Sequence, residues 1–88
     1  MLPGLNHDVR HGGRVFHVQT EDSGPEAAWV TSHLFLAGAV LATARSSYAT
    51  DRTAPDLAAR VRALMEAQHK GLLRRLVAGE FDGPPSGR

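Results

Sequence analysis

Histidines are the side chains of this sequence whose type and spacing could do chemistry. There are five of them in a chain of 88 residues without cysteine, and imidazole is the commonest transition-metal ligand in proteins. His7 and His11 have the i, i+4 spacing that places two ligands on one face of a helix. Gly12 and Gly13 follow directly and oppose a helix at this position. We therefore do not expect a metal site at the N-terminus.

A second pair, His17 and His33, falls in two predicted strands that can approach each other across a sheet. Asp22 follows the first strand closely, so its carboxylate could join the two imidazoles as a third metal ligand. In a second interpretation, both histidines make ordinary hydrogen bonds on a sheet surface. We favour the second interpretation, and a metal-binding or metal-dependent protein is our alternative hypothesis.

The residue types of a hydrolase triad can be assembled from Ser32, His17 and Asp22, but no local motif supports them. The sequence contains no G-x-S-x-G turn to expose a nucleophile and no G-x-x-x-x-G-K-S/T loop to hold phosphates. Almost any chain of this size contains such a trio. We therefore expect neither enzymatic activity nor a cofactor.

The composition predicts one small domain over residues 1–82, followed by a disordered tail over residues 83–88 that is rich in glycine and proline. The chain has ten lysines and arginines and nine acidic residues, so its positive and negative charges nearly balance. Because the charges are also mixed along the chain, we expect no nucleic-acid partner. The sequence has no signal-peptide pattern and no apolar run of the roughly 18 residues that a membrane span needs. We therefore expect a cytoplasmic protein without a membrane partner.

Three strands are predicted, and residues 1–13 read as an irregular lead-in. The strands cover residues 14–20, 28–36 and 39–47, and Ala37 and Gly38 form the turn between the last two. A two-residue turn places Leu36 opposite Ala39, and the period of two then pairs Leu34 with Leu41 and His33 with Ala42.

One long helix is predicted from the N-cap Thr53 to Ala78, where Gly79 can end it. Its apolar stripe contains Leu57, Val61, Leu64, Met65, Leu72 and Leu76. Gln68 falls inside this stripe and must find a partner, either a strand side chain or a second copy of the chain, unless it lies at a loosely packed edge. A helix of this length, about 37 Å, overhangs strands of about 23 Å.

The last two predicted strands carry apolar side chains on both faces, and a chain this small cannot cover both. One face holds Val30, Leu34, Leu36 and Leu41, and the other holds Trp29, Phe35, Val40, Ala42 and Ala44. The overhanging end of the helix also needs a covering surface. We therefore predict a homo-oligomer with a protein partner, whose interface consists of Trp29, Phe35, Val40, Leu73, Leu76 and Val77.

Several short segments carry a resemblance that covers most of the chain. They are HVQTEDSG at 17–24, HLF at 33–35, the strand at 42–48, QHK at 68–70 and AGEFD at 78–82. As a set they resemble a family of small proteins of myxobacteria and related bacteria that is RomX-like. The resemblance implies an adaptor or nucleotide-exchange component that works with a response regulator on a small Ras-like GTPase in motility and polarity, without catalytic residues of its own.

The sequence thus predicts an α+β fold, in which a three-stranded antiparallel sheet is followed by one long C-terminal helix, and we expect it to be dimeric. The predicted function is a non-enzymatic protein-protein interaction module in cytoplasmic regulation. The alternative is the small metal-binding protein that uses His17, His33 and the Asp22 carboxylate.

Overall fold

Four antiparallel strands and one long helix make up the fold in the computed structural model, which describes residues 1–83. The strands are β1 (Leu5–His11), β2 (Arg14–Asp22), β3 (Trp29–Leu36) and β4 (Ala39–Ser47), and they lie side by side in chain order. A short 3-10 turn (Ala49–Asp51) leads to the helix α1 (Leu57–Val77). The α+β class with an antiparallel sheet and one C-terminal helix is confirmed. The predicted tail, apart from Gly83, lies outside the described residues.

The sheet has four strands rather than the predicted three, because the N-terminal segment is a strand and not an irregular lead-in. Gly12 and Gly13 have φ angles of 60° and 78°, and two positive φ angles in a row make the tight turn that joins antiparallel strands with their natural twist. β1 then pairs along its whole length with β2, and Val9 lies opposite Phe16. The strand escaped prediction because Leu5 and Val9 are its only apolar residues in the core-facing positions.

The turn between β3 and β4 has the predicted two residues. Ala37 and Gly38 adopt positive φ angles of 52° and 83°, so the strands leave the turn in the predicted register. Leu36 lies opposite Ala39, and Phe35 lies opposite Val40. These two pairs confirm the predicted turn.

Beyond the turn the predicted register is wrong by one residue, because Leu41 is an extra residue in β4. Leu34 pairs with Ala42, and His33 pairs with Thr43. A one-residue bulge exchanges the two faces of the rest of the strand. Ala42 therefore packs on the core side with Leu34, whereas Leu41 is 42% exposed, the reverse of the prediction.

The helix packs on one face of the sheet and forms a core with the alternate side chains of β2 and β3. One buried cluster contains Phe16, Val18, Leu34, Leu72 and Leu76. A second contains Ala28, Val30, Tyr48, Val61 and Met65. Most of the predicted helix stripe is confirmed, although Leu57 and Leu64 are only partly buried, and His69, which is not in the predicted stripe, is buried. In the described chain, α1 is too polar for a membrane-crossing segment.

The predicted overhang of the helix does not exist. A helix of 21 residues is about 32 Å long, and the nine-residue strands β2 and β4 are about 30 Å long. Leu72 and Leu76 consequently have full cover from the sheet, with exposures of 1% and 0%. The prediction failed because the helix is shorter and the strands are longer than their sequence patterns indicate.

The two ends of the helix differ in how well they match prediction. The helix begins after Asp56, not after Thr53, and Asp56 bonds Arg60 at 2.8 Å instead of capping the backbone. At the other end, Gly79 has a φ of 94°. Its N–H donates to the carbonyl of Leu76 at 3.1 Å, and the Glu80 N–H donates to the carbonyl of Arg75 at 3.2 Å. This paired closure by a left-handed glycine confirms the predicted stop.

We predict that Leu72→Ala lowers the free energy of unfolding by about 2–5 kcal/mol, because it removes buried methyl groups and leaves a cavity between helix and sheet. Val77→Ala, whose side chain is 62% exposed on the same helix, is the matched control and should change stability by less than about 0.5 kcal/mol. Urea denaturation measures both. Equal effects of the two substitutions would show that the assigned helix face is wrong.

Candidate functional site

The candidate functional site is the side of the sheet that faces away from α1, which we call the open face. Successive side chains of a strand point to opposite sides, and the buried residues of β2 and β3 are the even-numbered ones that face the helix. The odd-numbered residues of these strands, with their cross-strand partners, therefore form the open face. Its members are Asp8, Arg10, Val15, His17, Gln19, Glu21, Trp29, Thr31, His33, Phe35, Val40, Thr43 and Arg45.

Phe35 lies near the β3–β4 turn end of the open face, beside two histidines. Its ring centroid is 6.0 Å from that of His17 and 5.7 Å from that of His33. Each imidazole is held by a hydrogen bond, between His17 Nδ1 and Asp8 Oδ1 at 2.8 Å and between His33 Nδ1 and Thr43 Oγ1 at 3.0 Å. The phenyl ring therefore packs beside two imidazoles that are each hydrogen-bonded to a neighbouring strand.

Trp29 forms a second aromatic position at one end of the open face. The guanidinium of Arg45 lies 4.3 Å from the centroid of the indole, a distance at which the cation is attracted to the ring. This contact joins β4 to β3 across the sheet surface. It also presents a flat surface made of both a ring and a guanidinium.

The six residues predicted as an interface fall into two groups in the structure. Trp29, Phe35 and Val40 all lie on the open face, where Phe35 is paired with Val40 and Trp29 lies at the opposite end of β3, and Val40 is 51% exposed. The three helix residues do not join them: Leu76 is fully buried in the core of the chain itself, Leu73 packs against that core, and Val77 is exposed on the helix. Leu76 is therefore not available to a partner.

The predicted metal ligands are not brought together. His17 and His33 lie on the open face, whereas Asp22 has an even position on β2 and faces the other side of the sheet. The same alternation separates His17 from Ser32, so the triad is not assembled either. No group of three or more histidine, aspartate or glutamate side chains in residues 1–83 is placed to hold a metal ion. The arrangement does not match the metal-binding alternative.

Asp22 instead ties the N-terminal segment to the corner between β4 and the helix. Its carboxylate accepts hydrogen bonds from the Tyr48 hydroxyl at 2.5 Å and from the backbone N–H groups of Leu2 and Gly24, both at 2.9 Å. Burial alone would raise the pKa of Asp22, but these three hydrogen bonds outweigh it and lower the pKa. Burial and the neighbouring carboxylate raise the pKa of Tyr48 to about 12.

A chain of polar side chains crosses the buried side of the sheet beneath the helix, and we call it the polar chain. It runs His7, His69, Thr20, Ser32, Gln68, Ser46 and so joins all four strands to α1. Its neighbouring polar atoms lie 2.6–2.8 Å apart. Within residues 1–83 no buried side-chain nitrogen or oxygen lacks a hydrogen-bond partner. Of the alternatives left open for Gln68, the structure shows a hydrogen bond to strand side chains, those of Ser46 and Ser32.

The direction of the hydrogen bonds follows from their donors. The amide nitrogen of Gln68 must donate, so the Ser32 hydroxyl accepts from it and donates to Thr20 Oγ1. The Thr20 hydroxyl then donates to Nδ1 of His69, whose Nε2–H donates to Nδ1 of His7. Every hydroxyl hydrogen in this arrangement has an acceptor. In this arrangement His69 is neutral, with its proton on Nε2, which agrees with the lowering of its pKa by burial.

Only part of the polar chain has a signal in the sequence. Gln68 was conspicuous as a polar residue in an apolar stripe, whereas Thr20 and Ser32 resemble ordinary strand residues. His7 could not be paired with His69 as long as β1 was read as irregular. A buried helix position that holds histidine beside glutamine was the available indication that the sheet supplies matching polar groups.

No protein-family model, curated protein or solved structure matches this chain. The resemblance to the myxobacterial family therefore stays a prediction.

We predict that His69 destabilises the fold in acid. Burial, followed by the charges of His7 and His17, lowers the pKa of His69 below 6.5, so the unfolded chain binds a proton there before the folded chain does. The contribution of neutral His69 to the free energy of unfolding is therefore fully present above pH 6.5. As the pH drops below this value, the contribution of this residue falls by at most about 1.4 kcal/mol per pH unit. His69→Gln should flatten the fall, as measured by urea denaturation at several pH values.

His33→Gln, which removes an imidazole from the open face, is the matched control for this measurement. Equal slopes of stability against pH in the wild type and His69→Gln would contradict a neutral buried His69.

We also predict that Tyr48→Phe lowers the free energy of unfolding at pH 7 by about 1.5–3 kcal/mol, because it removes a hydrogen bond to a buried carboxylate. The lowered pKa of Asp22 contributes stability above pH 3.8 that is lost as the pH falls below it. The variant should therefore lose less stability than the wild type on acidification below pH 4. Chemical denaturation at pH 7 and pH 3 tests both statements, and an unchanged stability at pH 7 would contradict the first.

Proposed function

We propose that this chain is a non-enzymatic protein-interaction module that binds a protein partner with its open face. One observation carries the proposal: the single helix covers one side of the sheet, and the other side presents Trp29 and Phe35, each in contact with a neighbouring side chain. Aromatic side chains held in this way make large contact areas at a small cost in conformational entropy. Tryptophan and arginine are among the residues that dominate binding energies in protein interfaces.

The arrangement of the open face also resembles an interface in its charge pattern. The apolar side chains Phe35, Val40 and Val15 lie at the end of the sheet that carries both hairpin turns, and both signs of charge lie beside them, with Asp8 and Arg10 on the β1 side. Apolar side chains with charged and polar neighbours are usual in a specific interface. The mixed rim supports a protein partner over a nucleic acid, which would require a concentrated positive charge.

The resemblance to the RomX-like family suggests the partner class. In this proposal the module is a cytoplasmic adaptor or nucleotide-exchange component that binds a response regulator and a small Ras-like GTPase in motility and polarity control. Such a role needs only surfaces, because a protein that binds one state of a GTPase more tightly shifts the population toward that state. The open face is the surface we assign to it.

We predict that Trp29→Ala combined with Phe35→Ala weakens partner binding at least tenfold while the protein stays folded. The probes are a purified response regulator and a Ras-like GTPase loaded with a fluorescent GDP analogue. Binding is followed by calorimetry, and nucleotide release by fluorescence. Val77→Ser, at an exposed position of the helix outside the open face, is the matched control and should bind like the wild type.

Circular dichroism of each variant checks that it is folded, and its mass in solution gives its oligomeric state. A homo-oligomer, which we also propose, would give a mass above the 9.4 kDa of one chain, and the double variant would reduce it if two copies associate through the open face. Undiminished binding of the folded double variant would refute the open face as the binding surface. Absence of binding by the wild type to both probes would refute the proposed partners.

A further inference from the structure

A groove runs along the outer strand β4 on the helix side of the sheet. The helix packs chiefly over β2 and β3, so the inner side of β4 is only partly covered. The groove has a volume of about 410 Å³, is open to solvent, and its floor and walls consist mainly of small or apolar side chains. These are Ala44, Ser46, Leu64, Ala67, Gly71 and Leu72.

The free edge of β4 carries backbone groups that can pair with another strand. The Tyr48 N–H donates to the carbonyl of Ala28 at 2.9 Å, and the bonded positions of an antiparallel pair recur every second residue. The even-numbered residues of this part of β4 therefore bond β3, and Thr43, Arg45 and Ser47 direct their N–H and C=O groups to the free edge. The bulge at Leu41 lies outside this stretch.

From Thr43 to Ser47, beyond the bulge at Leu41, this edge has few of the features by which proteins usually block strand addition. β4 contains no proline and a single charged residue, Arg45, whereas many edge strands are protected by charges, prolines or a covering element. The other edge strand, β1, carries Asp8, Arg10 and two histidines in seven residues. An unprotected edge beside an apolar groove is the arrangement in which an extended peptide adds to a sheet.

The charged residues beside the groove indicate which kind of partner it binds. Both charged residues that line it are arginines, Arg45 and Arg75. The Arg45 guanidinium lies on the open-face side of β4, over the Trp29 ring, and Arg75, on the helix, forms an ion pair with Glu80 at 3.0 Å. A second copy of the chain bound edge to edge would bring four arginines to one interface, and like charges oppose such an association. An acidic segment meets complementary charge.

We propose that β4 binds an extended acidic segment of a partner protein, which adds to the sheet as a fifth strand. Side chains of the segment alternate between two sides. Those on the groove side are small and apolar and pack against Ala67 and Gly71, and those on the other side are carboxylates that meet Arg45. This surface shares Thr43 and Arg45 with the open face but extends over the helix side of β4, where Gly71 lies. A substitution at Gly71 therefore tests it separately from the proposed function.

Two fluorescein-labelled decapeptides test the proposed charge and the alternating side-chain pattern of the bound segment. One alternates valine with glutamate, and the other alternates valine with lysine. Fluorescence anisotropy with the full chain should detect the glutamate peptide at concentrations below 1 mM and at least tenfold weaker binding of the lysine peptide. Hydrogen exchange followed by NMR should show slower exchange of the Thr43, Arg45 and Ser47 amides in the complex. Absence of binding, or equal binding of both peptides, would overturn the proposal.

Gly71→Leu tests the groove without disturbing the fold. A Cβ at Gly71 meets no atom within 4 Å, and leucine favours a helix more than glycine does, so the variant should fold at least as well as the wild type. Its side chain fills the groove, and we expect at least a tenfold loss of affinity for the glutamate peptide. Gly71→Ala is the matched control and should lose much less. Unchanged binding of the glutamate peptide by Gly71→Leu would show that the groove is not its binding site.

Thr43→Pro tests the free edge. The Thr43 N–H is not part of the ladder to β3, so proline removes a donor that only an added strand would use. We expect at least a tenfold loss of affinity, with Thr43→Val as the control that keeps the backbone donor. If instead the wild type has twice the mass of one chain in solution and both Gly71→Leu and Thr43→Pro reduce it to one, the occupant is a second copy and the proposal is wrong.

Discussion

The fold depends on the pairing of polar groups that are buried between the helix and the sheet. Thr20, Ser32 and His69 have almost no solvent contact, and an unpaired polar group in such a place costs about 1–3 kcal/mol. Apolar side chains alone would let a helix slide or rotate over a sheet with modest losses. The polar chain matches in one position of α1 only, so it fixes how the helix lies across all four strands.

The position of the helix decides which surfaces of this small protein stay free. Because α1 is held over β2 and β3, it covers Phe16, Val18 and Leu34 and leaves both the open face and the inner side of β4 without cover. The two free surfaces differ in chemistry. The open face carries aromatic rings, histidines and charges of both signs, whereas the groove beside β4 is lined mainly by small and apolar side chains. These are the two surfaces that our proposals assign to protein partners.

Sequence patterns predicted the elements whose signals are local. The turn at Ala37 and Gly38, the helix stop at Gly79 and the need of Gln68 for a strand partner are all encoded within a few neighbouring residues. β1 was missed because most of its residues are polar, and its strand structure comes from the Gly12–Gly13 turn that returns it to β2. The bulge at Leu41 was missed because its neighbours on both sides are apolar, so either register satisfies the alternation of the strand.

The sequence by itself determined the class of the fold, the face of the helix that packs on the sheet, and the grouping of Trp29 with Phe35, since side-chain periods of 2 and 3.6 residues follow from local backbone geometry. Only the tertiary structure decided what Asp22, Leu76 and His69 do. Asp22 serves a buried corner, Leu76 belongs to the core, and His69 completes the polar chain. Each of these roles depends on residues distant in sequence, and no local pattern encodes which distant partners the folded sheet brings within hydrogen-bond or packing distance.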